Sequence, residues 1–175
     1  MKHSPEVFHY LVARRALLFF FSLVCLSIPA APLLTSQLYA LPGAILYLSF
    51  STVCHQIPER CFTLLGYPWA VCHRCSGIYF ALLIGALLYP AIPEVVRNRF
   101  MRRSWLIGAI MYLALDAGLP LLGLWTNTPL TRLASGLVFG DLSSILLVTG
   151  IAEVFRDGPW KQQRVRYSNI AGGVQ

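Results

Sequence analysis

The stretch "ALLFFFSLVCLSIPAAPLL", Ala16–Leu34, decides the fold class, because 19 consecutive residues carry no charge. A helix needs about 20 apolar residues to cross the hydrocarbon core of a bilayer. Three further segments have the same character. Cys75 to Pro93 is uncharged, Ser104 to Thr131 is interrupted only by Asp116, and Leu133 to Ala152 only by Asp141. Leu38 to Val53 is apolar but short. In lipid every backbone polar group must be satisfied within the protein, so these segments are expected as helices.

The whole chain agrees. Its 175 residues are 57% hydrophobic and 12% charged, about half the charged share of a soluble domain. The expected fold is all-α, a polytopic membrane helix bundle with about five hydrophobic helices at 15–35, 38–54, 76–93, 104–126 and 130–155, four or five of them spanning. Residues 1–36 read as an N-terminal arm and first membrane helix, 37–156 as a membrane core, and 157–175 as a basic polar tail.

A net charge of +7 does not signal nucleic acid, because of where it falls. Arg14 and Arg15, then Arg97, Arg99, Arg102 and Arg103, then Arg156, Lys161, Arg164 and Arg166 flank the apolar segments. That is the positive-inside pattern of a membrane protein. It puts the basic residues on the cytoplasmic side and the connection between the second and third segments on the outer side. Five crossings put Arg14 and Arg15 on the wrong side. Either 38–54 does not cross or the N-terminus is outside against its charge, and both readings stay open at this stage.

That connection, "STVCHQIPERCFTLLGYPWAVCHRCSGIY" (Ser51–Tyr79), gathers four of the five cysteines and two of the four histidines. Cys72 and Cys75 form a C-x-x-C where a helix is expected to begin, and a helix N-terminus favours thiolate. Cys54 and His55 supply further ligand types, and mixed sulfur and nitrogen sets suit tetrahedral zinc. The predicted metal ligands are therefore Cys54, His55, Cys72 and Cys75. Zinc is the first choice, and thiolates also suit copper or iron. The same cysteines fit a thiol–disulfide oxidoreductase linked to quinone, with Cys54 and Cys61 as a second pair, or a plain structural disulfide. A metal- or small-solute-transporting or structural membrane module is a further reading.

The predicted topology returns Asn127 and Arg132 to the side that holds this connection. Arg60, Arg74 and Arg132 are candidate binders of a lipid or other amphiphilic anion, with Asn127 beside them. Asp116 and Asp141 are expected at similar depth near mid-membrane. An intramembrane carboxylate costs about 2.5–3.5 kcal/mol and invites a functional reading. Asp116, His55 and Arg132 are the candidate catalytic groups. Gly66, Gly77, Gly118, Gly136 and Gly140 are expected to allow turns or let helices approach closely.

"CHQIPERCF", "GYPWAVCHRCSGIY", the Asp of "LALDAG" and "NTPLTRLASGLVFG" together resemble a bacterial and archaeal membrane-protein family, domain-of-unknown-function 2085. Its pattern maps onto Cys54, His55, Gln56, Pro58, Arg60, Cys72, Arg74, Cys75, Gly77, Tyr79, Asp116, Asn127, Arg132 and Gly136, between about Phe50 and Gly140. Two positions depart from it. Cys61 stands where the family carries Ser, which makes it the least trusted ligand, and Ser76 stands for Thr, with an expected capping role. The resemblance implies a membrane fold, in the cytoplasmic (inner) membrane of a prokaryote, and carries no activity with it.

Overall fold

The structure, a computed structural model, describes residues 5–37, 39–100 and 103–157. It is a helical bundle of α1 (Pro5–Ser36), α2 (Ala40–Ser51), α3 (His73–Leu88), α4 (Glu94–Phe100), α5 (Arg103–Gly118) and α6 (Pro129–Asp157), with 3-10 turns at Pro58–Arg60, Tyr89–Ala91 and Leu119–Leu122. Four stretches are long and apolar enough to cross a membrane: Tyr10–Ser36, His73–Ala91, Ser104–Leu122 and Pro129–Phe155. The polar tail expected beyond Asp157 lies outside the described residues.

The bundle is organised around one close helix crossing. A methyl group built on Gly77 would lie 2.4 Å from the Leu133 carbonyl oxygen, and one on Gly136 would lie 2.2 Å from that of Arg74. Only hydrogen fits at these two positions, so α3 and α6 meet backbone to backbone. This is how helices associate where lipid competes for every apolar side chain. Further along the same seam, Ser144 Oγ donates to the Leu82 carbonyl at 3.1 Å.

Helix α1 packs along this pair. Its N-terminal half supplies Leu17 and Phe21 to a core with Leu82, Ala86, Tyr89, Ile145 and Val148. Its C-terminal half supplies Ile28 and Ala31 to a second core with Phe50, Cys54, Ala70 and Val71. Arg14 donates to the last free carbonyls of α3, through Nε to Ala86 at 3.0 Å and through Nη2 to Leu87 at 3.1 Å. Arg97 lies over the rings of Tyr10 and Tyr89, 5.9 and 5.2 Å from their centroids. The start of α1, the end of α3, α4 and the end of α6 therefore share one end of the bundle.

The open question about the second segment closes here. Helix α2 has 12 residues, about 18 Å at 1.5 Å per residue, too short to cross. It runs unbroken through Pro42 and Gly43 and folds back on the last turns of α1, with Gly43 against Thr35. Four crossing helices leave Arg14 and Arg15 at the same end as Arg97.

Other expectations shift. Helix α1 starts at Pro5, and α3 starts at His73, so Cys75 lies inside its first turn. The connection before α3 is not only loop. Cys61–Leu64 (β1) and Tyr67–Cys72 (β2) form an antiparallel hairpin. Its turn residues Leu65 and Gly66 have φ of 52° and 82°, the left-handed pair that a two-residue hairpin loop requires. The helix expected over 104–126 stops at Gly118 and continues as the 3-10 turn Leu119–Leu122.

Candidate metal and anion site

Three chain segments meet at the end opposite the basic cluster. Cys54 follows α2, Cys72 ends β2, and Cys75 lies in the first turn of α3. Their sulfurs lie within 4.8 Å of one another. Gln56 fixes the first segment. It adopts a left-handed φ of 51°, and its Nε2 donates to the Tyr47 carbonyl at 2.8 Å and the Ala70 carbonyl at 2.7 Å. That clamp ties the Cys54 segment to α2 on one side and to β2 on the other. The Cys72 backbone N–H then donates to Cys54 Sγ at 3.2 Å.

Cys72 is the residue from which α3 starts. Hydrogen bonds to its sulfur from Cys54, then from the side chain of Cys75 and the N–H groups of Cys75 and Arg74, hold its thiol well below the ordinary range. Burial opposes them and is outweighed. Cys61 is the opposite case. Its thiol donates to the Ile57 carbonyl at 3.2 Å, and burial, with the nearby Cys54 and Cys72, pushes it up to about 12. It stands outside the cluster, as does Cys25, buried against α3. All five cysteines are free thiols.

A cavity of about 330 Å³ opens over the three sulfurs. His55, Arg60, Arg74, Asn127 and Arg132 supply its polar wall, and Val53, Ile57, Ala117, Pro120 and Leu121 its apolar wall. The structure thus brings His55 to the cavity but not into the close sulfur group. Asp116 does not line the cavity. It stands behind, where Oδ2 accepts from Arg74 Nε at 3.0 Å, from Arg74 Nη2, and from Ser135 Oγ at 2.8 Å. Its backbone carbonyl accepts from Asn127 Nδ2 and from Arg74 Nη2.

This placement corrects the mid-membrane depth expected for Asp116. With α5 ending two residues later, the carboxylate sits level with Arg74 at the start of α3. Asp141 lies further along α6, five residues past Gly136, itself level with Arg74. Ser76 does not cap α3 either. It is the fourth helical residue, fully buried, and its Oγ has no partner among the described residues.

The site is sunk below the ends of the bundle. Seven residues of α6 precede Gly136, about 10 Å of helix at 1.5 Å per residue. The apolar wall therefore opens beside the flanks of the long apolar helices and not at their tips.

Most of the cavity lies within the stretch of chain that matches a known family. The predicted membrane protein family of domain of unknown function 2085 (DUF2085) matches residues 54–146. An uncharacterized protein of Methanocaldococcus jannaschii is 33% identical over 137 residues, covering 75% of this chain and 85% of its own. The chain belongs to DUF2085. A second uncharacterized relative, from Methanothermobacter thermautotrophicus, is 28% identical over 93 residues, 52% of this chain and 80% of its own. No solved structure matches. The DUF2085 match begins at Cys54 itself and includes the cluster, the cavity arginines and Asp116.

The hairpin was missed by the sequence reading, although Leu65-Gly66 between two short runs was available as a signal. The Gln56 clamp carried none, because its partners are carbonyls of distant residues.

Proposed function

We propose that the protein is a metal-dependent membrane enzyme that acts on a lipid or other amphiphile, with zinc held by Cys54, Cys72 and Cys75. The observation that carries this is the convergence of three sulfurs at the floor of a polar cavity. Zinc–sulfur bonds of about 2.3 Å in tetrahedral geometry place sulfurs about 3.8 Å apart, and these three lie within 4.8 Å. Three sulfurs also separate the metal reading from a dithiol, which uses two and leaves the third idle. The donor set suits a soft or borderline ion, and the lowered Cys72 thiol provides the deprotonated ligand such an ion needs.

Cys54, Cys72 and Cys75 would hold such an ion with three protein ligands, the number that catalytic zinc sites use. When bound, the ion supplies a Lewis acid there. The chain's own groups divide the remaining work. His55, on the cavity wall, is placed to move a proton or to reach a fourth position on the ion. Arg60 and Arg132 hold the anionic part of the substrate. Asp116 is a positioning residue that fixes Arg74 and, through Asn127, the loop before α6. The basic end faces the cytoplasm under the positive-inside rule, which puts the cavity on the outer side.

Elemental analysis of the purified full-length protein in detergent, with a thiol titration on the same sample, tests this. Expected are about one zinc per chain, no thiols gained on reduction, and loss of zinc in Cys72→Ser. Metal-free protein that gains two thiols on reduction replaces this reading with the thiol–disulfide one.

A further inference from the structure

We propose that the cavity over the sulfur cluster receives the phosphate group of an amphiphile, with the acyl chains leaving along its apolar wall. The inference rests on reading this cavity as the reaction site, and it names the chemistry of the substrate.

Charge is the first argument. Of the three arginines on the wall, Arg74 is neutralised by Asp116. Arg60 and Arg132 have no carboxylate within ion-pair distance among the described residues. A zinc ion with three thiolates carries one net negative charge, which two guanidinium groups more than offset. The walls of the cavity contain no carboxylate. It therefore favours an oxyanion held by two guanidinium forks, and a tetrahedral phosphate directs its oxygens to two separate forks more readily than a planar carboxylate does.

Hydrogen bonding is the second. Asn127 is oriented by the bond from its Nδ2 to the Asp116 carbonyl. Its Oδ1 is buried, and no donor reaches it among the described residues. A buried acceptor without a partner is costly. Asn127 lines the cavity, and a headgroup hydroxyl would satisfy this acceptor once the side chain turns it toward the cavity.

Shape is the third. Val53, Ile57, Pro120 and Leu121 line the same cavity as the arginines, and Leu121 and Val53 are 83% and 60% exposed. An exposed apolar wall beside helices long and apolar enough to span a membrane suits a tail, whereas a free metabolite has no use for one. The polar–apolar division within about 330 Å³ matches a headgroup with the first carbons of its chains.

Titration calorimetry on the full-length protein in a non-ionic detergent tests the proposal. The probes are dioctanoyl phosphatidylglycerol, glycerol phosphate, dioctanoylglycerol and decanoate, with zinc measured in every sample. Phosphatidylglycerol is expected to bind at least tenfold more tightly than dioctanoylglycerol or decanoate. Arg60→Gln and Arg132→Gln are each expected to weaken it about tenfold or more with zinc content unchanged. Arg60 is exposed, so its variant folds even if Arg132→Gln does not. Glycerol phosphate binding tenfold or more weakly identifies the lipid as the source of the phosphate. Equal binding keeps the phosphate site and overturns the tail assignment. Equal affinity for phosphatidylglycerol and dioctanoylglycerol, or arginine variants that bind like the parent, overturns the proposal while a zinc-loaded sample leaves the metal reading intact. Zinc-free protein with arginine-dependent phosphate binding removes the metal and not the headgroup.

Discussion

Arg74 and Asp116 are locked together, with Nε and Nη2 of the arginine both donating to Oδ2 of the aspartate and Ser135 Oγ donating to the same oxygen. One carboxylate thereby joins the first turn of α3, the last turn of α5 and the second turn of α6. Helix α5 is otherwise the least embedded of the four long helices, with 11% of its apolar window buried. The ion pair is therefore its main fixed point at the site end.

Asp116→Ala is expected to destabilise the protein by about 2–3 kcal/mol. A fully buried broken pair costs about 3–5 kcal/mol, and Arg74 is 23% exposed, which lowers the cost. Arg74→Ala alone costs a similar amount, and the double variant less than the two together. Thermal or denaturant unfolding in detergent gives the coupling, expected at about 1–3 kcal/mol. Additive effects rule out the lock.

In metal-free protein Cys72 is expected to react with iodoacetamide at pH 6, whereas Cys61 resists at pH 9. The sign follows from the shifts. A lowered thiol is already thiolate at pH 6 and nucleophilic, while a thiol raised from 9.0 to about 12 stays protonated. The same shift makes Cys61 a stability determinant at high pH. The unfolded chain releases this proton near pH 9 and the folded chain near 12, so stability is lost as pH rises across that window. Peptide mass spectrometry after timed labelling reads the first effect. Unfolding of Cys61→Ala between pH 8 and 11, with a flatter profile than the parent, reads the second.

Gly136→Ala is expected to cost about 1–3 kcal/mol, typical of overpacking, because its methyl would meet the Arg74 carbonyl at 2.2 Å. Separating α3 from α6 also moves Cys75, so zinc content should fall with it. Gly150→Ala, on the same helix with nothing within 4 Å, is expected to be neutral or to stabilise by up to about 1 kcal/mol through helix propensity. Equal melting points for the two variants contradict the close crossing.

Both chain ends are expected on the cytoplasmic side. A green fluorescent protein fused after Gln175 should fluoresce, and alkaline phosphatase fused after Leu124 should be active, whereas a phosphatase fusion after Phe100 should not. Activity after Phe100 with inactivity after Leu124 inverts the orientation. The arrangement of the helices relative to one another survives either result.

The sequence by itself determined the membrane class, the existence and order of the hydrophobic helices, although α1 begins ten residues earlier and α5 ends eight residues sooner than expected, and the crowding of cysteines between two of them. Each is a local or compositional property. Charge-free runs of helix-spanning length need no partner to be recognised, and soft ligands crowded between two such runs mark a site wherever the chain folds. The family resemblance made from those motifs holds.

Tertiary structure decided the rest, because it depends on where distant backbones meet. The count of crossings turned on α2 folding back against Thr35 of α1, which frees it from having to span. The depth of Asp116 turned on α5 breaking at Gly118, and a helical period carries no depth without knowing where the helix stops. The separation of Cys61 from the other three cysteines turned on a hairpin that points its thiol at the Ile57 carbonyl. Above all, the sulfur cluster needs Gln56 holding two carbonyls at once, and bringing Arg132 to the cavity wall needs α3 and α6 in backbone contact. Those are long-range close approaches, fixed by the absence of a side chain at Gly77 and Gly136 as much as by any side chain present.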